Sequence, residues 1–383
     1  VKYSTFSLFS GAAGLDFGLQ RTERFELRAA VEQNPAAFAT LRAAHAATRL
    51  GGPGFRLYEA DVAALEPQRV LADLGLRAGE LGTLCGGVPC QTLSSIGRRG
   101  GTADHRGLLW WQFLWWLEAT LPKAFLIENV HGLLSAPLRP GDPPGSLLRE
   151  FVRDVPRQYR LDAFVVEAAD HRTPQYRTRV ILIGNRLGRV ATFPPATHGP
   201  PGSGLLPHRT LADALAGLVD PHPVVLPFSE KKRRVLEQVP QGGNWRSLPP
   251  EVAREAMGAA YHRKGGRTGW FRRLAWDRPC PTVLTLPNHA STSLCHPEGN
   301  RPLSVRECAA VQGFDTDWPF CGTATQRYEQ VGNAVPVPLG EACGRAVADL
   351  LDGSGTHESA PRFQLIDTRL KKPKGGSSHV DAR

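Results

Sequence analysis

Residues 83–95 read TLCGGVPCQTLSS. A short apolar run, Thr83 to Cys85, opens into two glycines, a proline and Cys90. Glycines let the backbone turn sharply, so this layout presents a nucleophile at the carboxyl end of a buried strand, where open α/β sheets place their chemistry. Taken alone, Cys90 is one of seven cysteines, and most buried cysteines are inert. Its reading depends on what converges with it.

Working outward, apolar strand candidates alternate with helical stretches through the first half of the chain. The strands expected are Thr5 to Phe9, Leu27 to Val31, Phe55 to Tyr58, Gly82 to Cys85, Ala124 to Ile127, Ala163 to Val166 and Val180 to Ile183. This alternation predicts an α/β fold with a wound parallel sheet, complete by about residue 189. From Phe193 to Pro207 (FPPATHGPPGSGLLP) proline and glycine dominate, which reads as a linker. Beyond it an Arg-, Lys-, Trp- and Pro-rich segment of weak periodicity runs to about Asn300 and reads as a second, smaller irregular binding domain. Helical patterning resumes at Ser304 and again after Pro338, stopped by Gly353. The polar, basic stretch 353–383 is expected to be disordered.

Composition narrows the function classes. Lys and Arg exceed Asp and Glu by 46 to 36 over 383 residues, which fits a polyanionic partner. The odd, scattered cysteines include no Cys-x-x-Cys pair, which disfavours a disulfide framework and a structural zinc site and fits a reducing cytoplasm. The amino terminus shows no secretory leader. The most apolar window, Gly107 to Leu121, is too short to span a bilayer; its four tryptophans are expected to pack inside a helix that covers the sheet.

Three features sketch an adenosine pocket. The first strand ends in Phe9-Ser10-Gly11-Ala12-Ala13-Gly14-Leu15, a turn open to close approach by a ligand. The second ends in Glu32, placed to hold two ribose hydroxyls, and the third is followed by Asp61, placed to accept from an adenine amine. The turn offers G-x-x-G where a pyrophosphate needs G-x-G-x-x-G, so a phosphate-free adenosine ligand is favoured, S-adenosylmethionine above all. At the same sheet edge the fifth strand runs into Glu128-Asn129-Val130, and Gln175-Tyr176-Arg177-Thr178-Arg179 precedes the seventh, bringing two guanidiniums.

In order along the chain, LFSGAAG, VEQN, EADV, GGVPCQ, ENV, QYRTR, RPLSVRECAAVQGF and QVGNAVPVPLG closely resemble the motifs of the DNA cytosine-5 methyltransferases, over roughly residues 3 to 190 and 300 to 352. The resemblance implies a Rossmann-like, S-adenosylmethionine-dependent methyltransferase sheet, with residues 325–352 rejoining 1–189 in the catalytic domain and 190–324 forming a DNA-recognition domain. It implies that Cys90 adds to C6 of cytosine, that Glu128 holds N3 and the exocyclic amine, that Arg177, with Arg179 nearby, contacts O2 and favours the thiolate, and that Asn129 shapes the loop around Pro89 and Cys90. For the cofactor it implies Phe9 against the adenine, Gly11 and Gly14 along the methionine portion, and Glu32 and Asp61 as above. Ala12, Leu15, Val62, Pro89, Asn333 and Val335 complete that pocket.

The substrate implied is a cytosine rotated out of double-stranded DNA. The loop from Ser94 to Arg106 would close over it, with Gln91, Ser94, Arg98, Arg99 and Arg106 meeting DNA. Arg233, Arg246 and Arg272 are candidates in the middle segment, together with Lys231, Lys232, Arg234, Arg263, Lys264, Arg267 and Arg273. Ala13 stands where a glycine is common, Val88 where a proline is, and Ser7 where some relatives carry an acid near the cofactor ammonium. A compact bacterial or phage restriction-modification enzyme is implied, monomeric and metal-free, and a cognate endonuclease could share its site. Two other readings stand beside it: a DNA-binding homologue with dead chemistry, and an RNA cytosine-5 methyltransferase acting on tRNA.

Overall fold

The computed structural model describes residues 1–89, 109–262, 268–289, 293–354 and 361–370. The chain begins β1 (Tyr3–Leu8), α1 (Gly14–Arg21), β2 (Phe25–Glu32), α2 (Pro35–Ala46), β3 (Arg56–Glu59), α3 (Pro67–Asp73) and β4 (Thr83–Gly87). It continues α4 (Leu109–Thr120), β5 (Ala124–Val130), α5 (Ser146–Asp154), β6 (Arg160–Glu167) and β7 (Thr178–Asn185). All seven expected strands are present. They order with a later strand as β10-β6-β7-β5-β4-β1-β2-β3, and all neighbours are parallel except β7, which runs against both β5 and β6.

Two consequences place the site. After β3 the chain crosses back to put β4 on the other side of β1, so the carboxyl ends of β1 and β4 flank the point where strand order reverses, the crevice in which such sheets bind ligands. Because β7 is antiparallel, its first residues rather than its last reach that edge, with Arg179 opposite Val130.

Helices cover both faces, which is why the central strands read as nearly continuous apolar runs. On one face α4 (LWWQFLWWLEAT) seals Phe6, Leu8, Leu84 and Phe125 with Trp110, Phe113 and Trp116, all fully buried. Each such side chain stabilises the fold by roughly 2–3 kcal/mol. Trp115 departs from the expectation for the four tryptophans, being 36% exposed. Pro122 cannot continue the helix and ends it.

On the other face α1 packs against the long carboxyl-terminal helix, by way of glycines. A side chain at Gly14 would meet the Val335 carbonyl at 2.2 Å, and one at Gly18 would meet Gly340 Cα at 2.6 Å. The glycine turn is thus needed for this helix contact as well as for a ligand.

Beyond β7 come the two-residue strands β8 (His198–Gly199) and β9 (Leu206–Pro207), then α6 (Leu211–Leu215), α7 (Glu230–Glu237), α8 (Pro250–Met257), α9 (Val305–Val311), α10 (Ala324–Asn333), α11 (Val337–Asp352) and β10 (Phe363–Asp367). Within this irregular segment a separate apolar cluster gathers Phe228, Val235, Leu236, Leu248, Met257, Phe271 and Cys295. Leu211, Cys280, Val283 and Leu303, with α9, instead share a cluster with Ala12, Ala13 and Phe17.

The expectation of a disordered tail over 353–383 is corrected for one stretch. Residues 363–367, FQLID, add β10 to the sheet edge, pairing parallel with β6 from Phe363 opposite Leu161 to Asp367 opposite Val165. Arg362 secures the entry by donating to the Tyr159 carbonyl at 3.1 Å. A short β-prone run was hidden by the polar average around it.

Candidate active site

A cleft of about 370 Å³ opens at the carboxyl ends of β1, β2, β4 and β5. Its walls include every cofactor residue expected from sequence: Phe9, Gly11, Ala12, Gly14, Leu15, Glu32, Asp61, Val62, Pro89, Asn333 and Val335. Glu128 and Asn129 line it too.

Local chemistry sets each wall. The turn after β1 passes through positive φ at Phe9 (56°), Gly11 (55°) and Ala13 (66°). The left-handed strain at Ala13 costs about 1–2 kcal/mol and is partly offset by about 0.8 kcal/mol for its buried methyl, which packs among Ala12 and Phe17. That accounts for an alanine being tolerated where glycine is easier.

Glu32 is held before any ligand arrives: Oε2 accepts from Gly11 N at 2.8 Å and Oε1 from Asn34 N at 2.7 Å. Asn34 then caps α2 through Ala36 N and Ala37 N, so the EQNP sequence fixes both the carboxylate and the next helix. Each oxygen keeps a lone pair for a ribose hydroxyl. Glu32→Ala is expected to weaken S-adenosylhomocysteine binding by about 10–100-fold, read by calorimetry, since hydrogen bonds to a charged group contribute about 1.5–3 kcal/mol. Asp61 is fixed similarly, one oxygen capping Ala63 N at 2.9 Å. The fit to an adenosine with two ribose hydroxyls is good.

At the other end, Glu128 and Arg179 form an ion pair with Nε to Oε1 at 2.7 Å, both side chains about 10% exposed. The register explains it: Arg179 lies opposite Val130, so Arg179 and Glu128 are diagonal neighbours on one face of an antiparallel pair. Asn129 points away from that face and donates Nδ2 to the Val88 carbonyl at 2.7 Å. Val88 is therefore used through its backbone, its side chain being buried in the apolar cluster.

Arg177 is a correction. Its guanidinium is buried and donates to the carbonyls of Val283 (2.9 Å), Gly332 (2.7 Å) and Ala334 (3.2 Å). Burial, and then Arg179 beside it, pull it down to about 9. Its Nη1 and Nη2 donors are turned toward backbone, so of the two expected guanidiniums Arg179 is the one that pairs directly with Glu128. Two DNA candidates are corrected likewise: Arg273 donates to the carbonyls of Val239, Leu236, His296 and Gly299, and Lys232 to those of Asn288 and His289. Both are buried.

Arg233 stays outside, paired with Glu230 at 2.6 Å; Arg246 lies over the Trp245 ring at 5.5 Å, and Arg272 donates to the Thr268 carbonyl at 3.1 Å. Cys90, Gln91, Ser94, Arg98, Arg99 and Arg106, with Arg263, Lys264 and Arg267, lie outside the described residues. None of the six described cysteines lines the cleft.

Sequence reasoning missed Asp16, which lines the same cleft at 1% exposure. Burial pushes its carboxyl up to about 6, against a weaker opposing influence of Ser7. The available signal was an acid inside an otherwise core-facing helix, GLDFGL.

With this geometry in hand, a family model described as C-5 cytosine-specific DNA methylase matches residues 3–349. The chain belongs to that family. The methylase is 34% identical to the type II methyltransferase M.Sau96I of Staphylococcus aureus, covering 91% of this chain and 76% of that protein. It is 35% identical to M.PspPI of Psychrobacter, over 92% of this chain and 80% of that one. Among solved structures, a prophage-encoded Escherichia coli protein described as a DNA modification methyltransferase superposes with a TM-score of 0.62 at 22% identity, covering 92% of this chain and all of the other. The Spodoptera frugiperda DNMT2 structure superposes at 0.54 and 17% identity, over 92% of this chain and 99% of its own. These two show the shared fold. The methylase is thus an enzyme of a family that uses S-adenosylmethionine. Among its described residues no helix is long and apolar enough to cross a membrane, and no cluster of metal-ligating side chains occurs.

Proposed function

We propose that this methylase transfers a methyl group to C5 of a cytosine flipped out of duplex DNA at a short specific sequence, through a covalent Cys90 adduct at C6. The observation that carries the reading is a single cleft in which the carboxylate that would hold a ribose, Glu32, and Glu128, itself paired behind the wall with Arg179, share walls with Pro89, the residue before Cys90. Bound S-adenosylmethionine supplies an electrophilic methyl on a sulfonium.

The residues do the rest. The Cys90 thiolate bonds to C6, and the C5–C6 π electrons move to C5, which becomes nucleophilic enough to take the methyl; an aromatic pyrimidine carbon is otherwise too poor a nucleophile. Glu128, carrying a proton on one oxygen once the base is bound, hydrogen-bonds N3 through it and accepts from the exocyclic amine through the other as charge develops on the ring, and it keeps that proton when the adduct breaks down. Arg179, rather than Arg177, fixes Glu128, stabilises charge at O2 and favours the thiolate, as a nearby cation does. Loss of the C5 proton to a base, with the C5–H electrons re-forming the double bond, expels the thiolate.

Duplex DNA is the proposed partner, gripped by Gln91, Ser94, Arg98, Arg99 and Arg106 of the loop and by Arg233, Arg246 and Arg272. A cognate endonuclease for the same sequence, a bacterial cytoplasmic setting and a monomeric enzyme belong to the same proposal. Arg246→Ala and Arg272→Ala are each expected to weaken duplex binding and reduce the dependence of log K on log salt by about one, measured by fluorescence anisotropy across a salt series.

The test is to incubate the protein with S-adenosylmethionine and unmethylated genomic DNA, then sequence at base resolution for 5-methylcytosine, with tRNA as a competing substrate. Methylation at one short motif supports the reading. Methylation of tRNA alone would transfer the chemistry to RNA, and duplex binding without any methylation would mark a DNA-binding homologue.

A further inference from the structure

Asp16 lies on the first turn of α1; neither carboxylate oxygen finds a donor in full hydrogen-bond geometry, and the Ser7 hydroxyl and the backbone at Asp16 ease its charge without offsetting its burial. A buried carboxylate without a partner is costly, and such exceptions call for an explanation in function. The neighbours do not provide one. Ser7 accepts from Ser10 Oγ at 2.9 Å and has one hydroxyl proton to offer Asp16, an influence weaker than burial and carrying no charge; the charged group that acts on Asp16 is Glu32, which repels it, and the Cys85 thiol nearby is held protonated by burial. No cation balances Asp16 from within the protein among the described residues that act on it.

The position of Asp16 narrows what could. The cleft has an adenosine end at Glu32 and Asp61 and a reacting end at Pro89 and Glu128. What remains between them, beside Ser7 and Gly14, is room for the amino-acid end of the cofactor, whose two charged groups are an ammonium and a carboxylate. Asp16 would repel the carboxylate and pair with the ammonium.

We infer that Asp16 is the residue that holds the cofactor's α-ammonium group, supplying from α1 the carboxylate that β1 lacks at Ser7. This rests on the cofactor reading proposed above. The complex then gains a buried, charge-assisted contact in place of an orphaned charge, and the ligand-free protein carries the instability.

The experiment compares S-adenosylhomocysteine with its analogue lacking the α-amine, by calorimetry, on wild type and Asp16→Asn, together with melting curves of both ligand-free proteins. Wild type is expected to prefer the amine-bearing ligand by about 10–100-fold; Asp16→Asn should lower that preference below about threefold while binding the deaminated analogue as wild type does. Its ligand-free Tm should equal or exceed that of wild type.

Equal binding of the two ligands by wild type would overturn the inference without needing any variant. So would an undiminished amine preference in Asp16→Asn, or a ligand-free Tm lower by several degrees, which would mark Asp16 as structural. Failure of wild type to bind S-adenosylhomocysteine at all would overturn the cofactor reading, and this inference with it.

Discussion

Cys90→Ser is expected to lower methylation at least about ten-thousand-fold while leaving duplex affinity and Tm close to wild type. The size follows from the chemistry: a cysteine is a few per cent thiolate near neutral pH and intrinsically very nucleophilic, while a serine hydroxyl is weak without an adjacent base. The assignment also gains from the other thiols. Burial pushes Cys85 and Cys308 well above the ordinary range, Cys343 up, Cys280 to about 12 and Cys295 to about 11. Cys321 is turned to the Pro319 carbonyl, away from the cleft. A second measurement separates the covalent step from other losses. Duplex carrying fluorine at C5 of the target cytosine has no proton there to remove, so wild type with S-adenosylmethionine should remain bonded to it through denaturing electrophoresis. Cys90→Ser should run free. A serine variant that still forms the bonded complex, or that methylates within tenfold of wild type, would remove Cys90 from the nucleophile's role.

Much of this site was legible because its residues sit where strands end, and strand ends are marked in sequence by glycine, proline or a cap. The run into Glu32-Gln33-Asn34-Pro35 is such a case: one strand, one carboxylate and one helix cap in four residues. What could not be read depends on register between distant segments. Arg177 and Arg179 have the same parity and chemistry, and only the antiparallel pairing of β7 with β5 turns Arg179 to Glu128 and leaves Arg177 to three carbonyls. Lys232 and Arg273 read as surface cations because composition cannot say which basic residues are buried among backbone oxygens. Gly14 reads as a turn glycine, while its bare Cα atom also admits Val335 O. Asp16 was passed over for the opposite reason, its significance lying in having no cation to balance it among the described residues.

Exchanging the roles of the two arginines yields the other large effect. Arg177→Met should cost the fold about 3–5 kcal/mol, the range for breaking a buried charged network, because its carbonyl partners come from three segments: the loop before α9, the end of α10 and the turn into α11. Against a total stability of about 5–15 kcal/mol that is a Tm lower by on the order of 10 °C or loss of soluble protein, seen in thermal melts without any substrate. Arg179→Met should do the reverse. Its partner Glu128 is buried but borders the cleft, where water or a proton can offset part of the lost contact, so the melt should shift less than in Arg177→Met. Single-turnover methylation should fall about 10²–10³-fold, the range for removing one preorganised charge donor from a reacting centre. Gln175 and Gln312 give the contrast a physical basis: Gln175 Nε2 donates to Gln312 Oε1 at 2.6 Å, and Gln312 Nε2 to the Val331 carbonyl at 2.6 Å, continuing from Arg177 a network that ties β7 to α9 and α10. Within QYRTR, then, the first and third positions hold the second half of the chain against the sheet and the fifth pairs with Glu128 at the cleft. An Arg177→Met protein that melts like wild type but has lost its chemistry would return the base-facing role to Arg177.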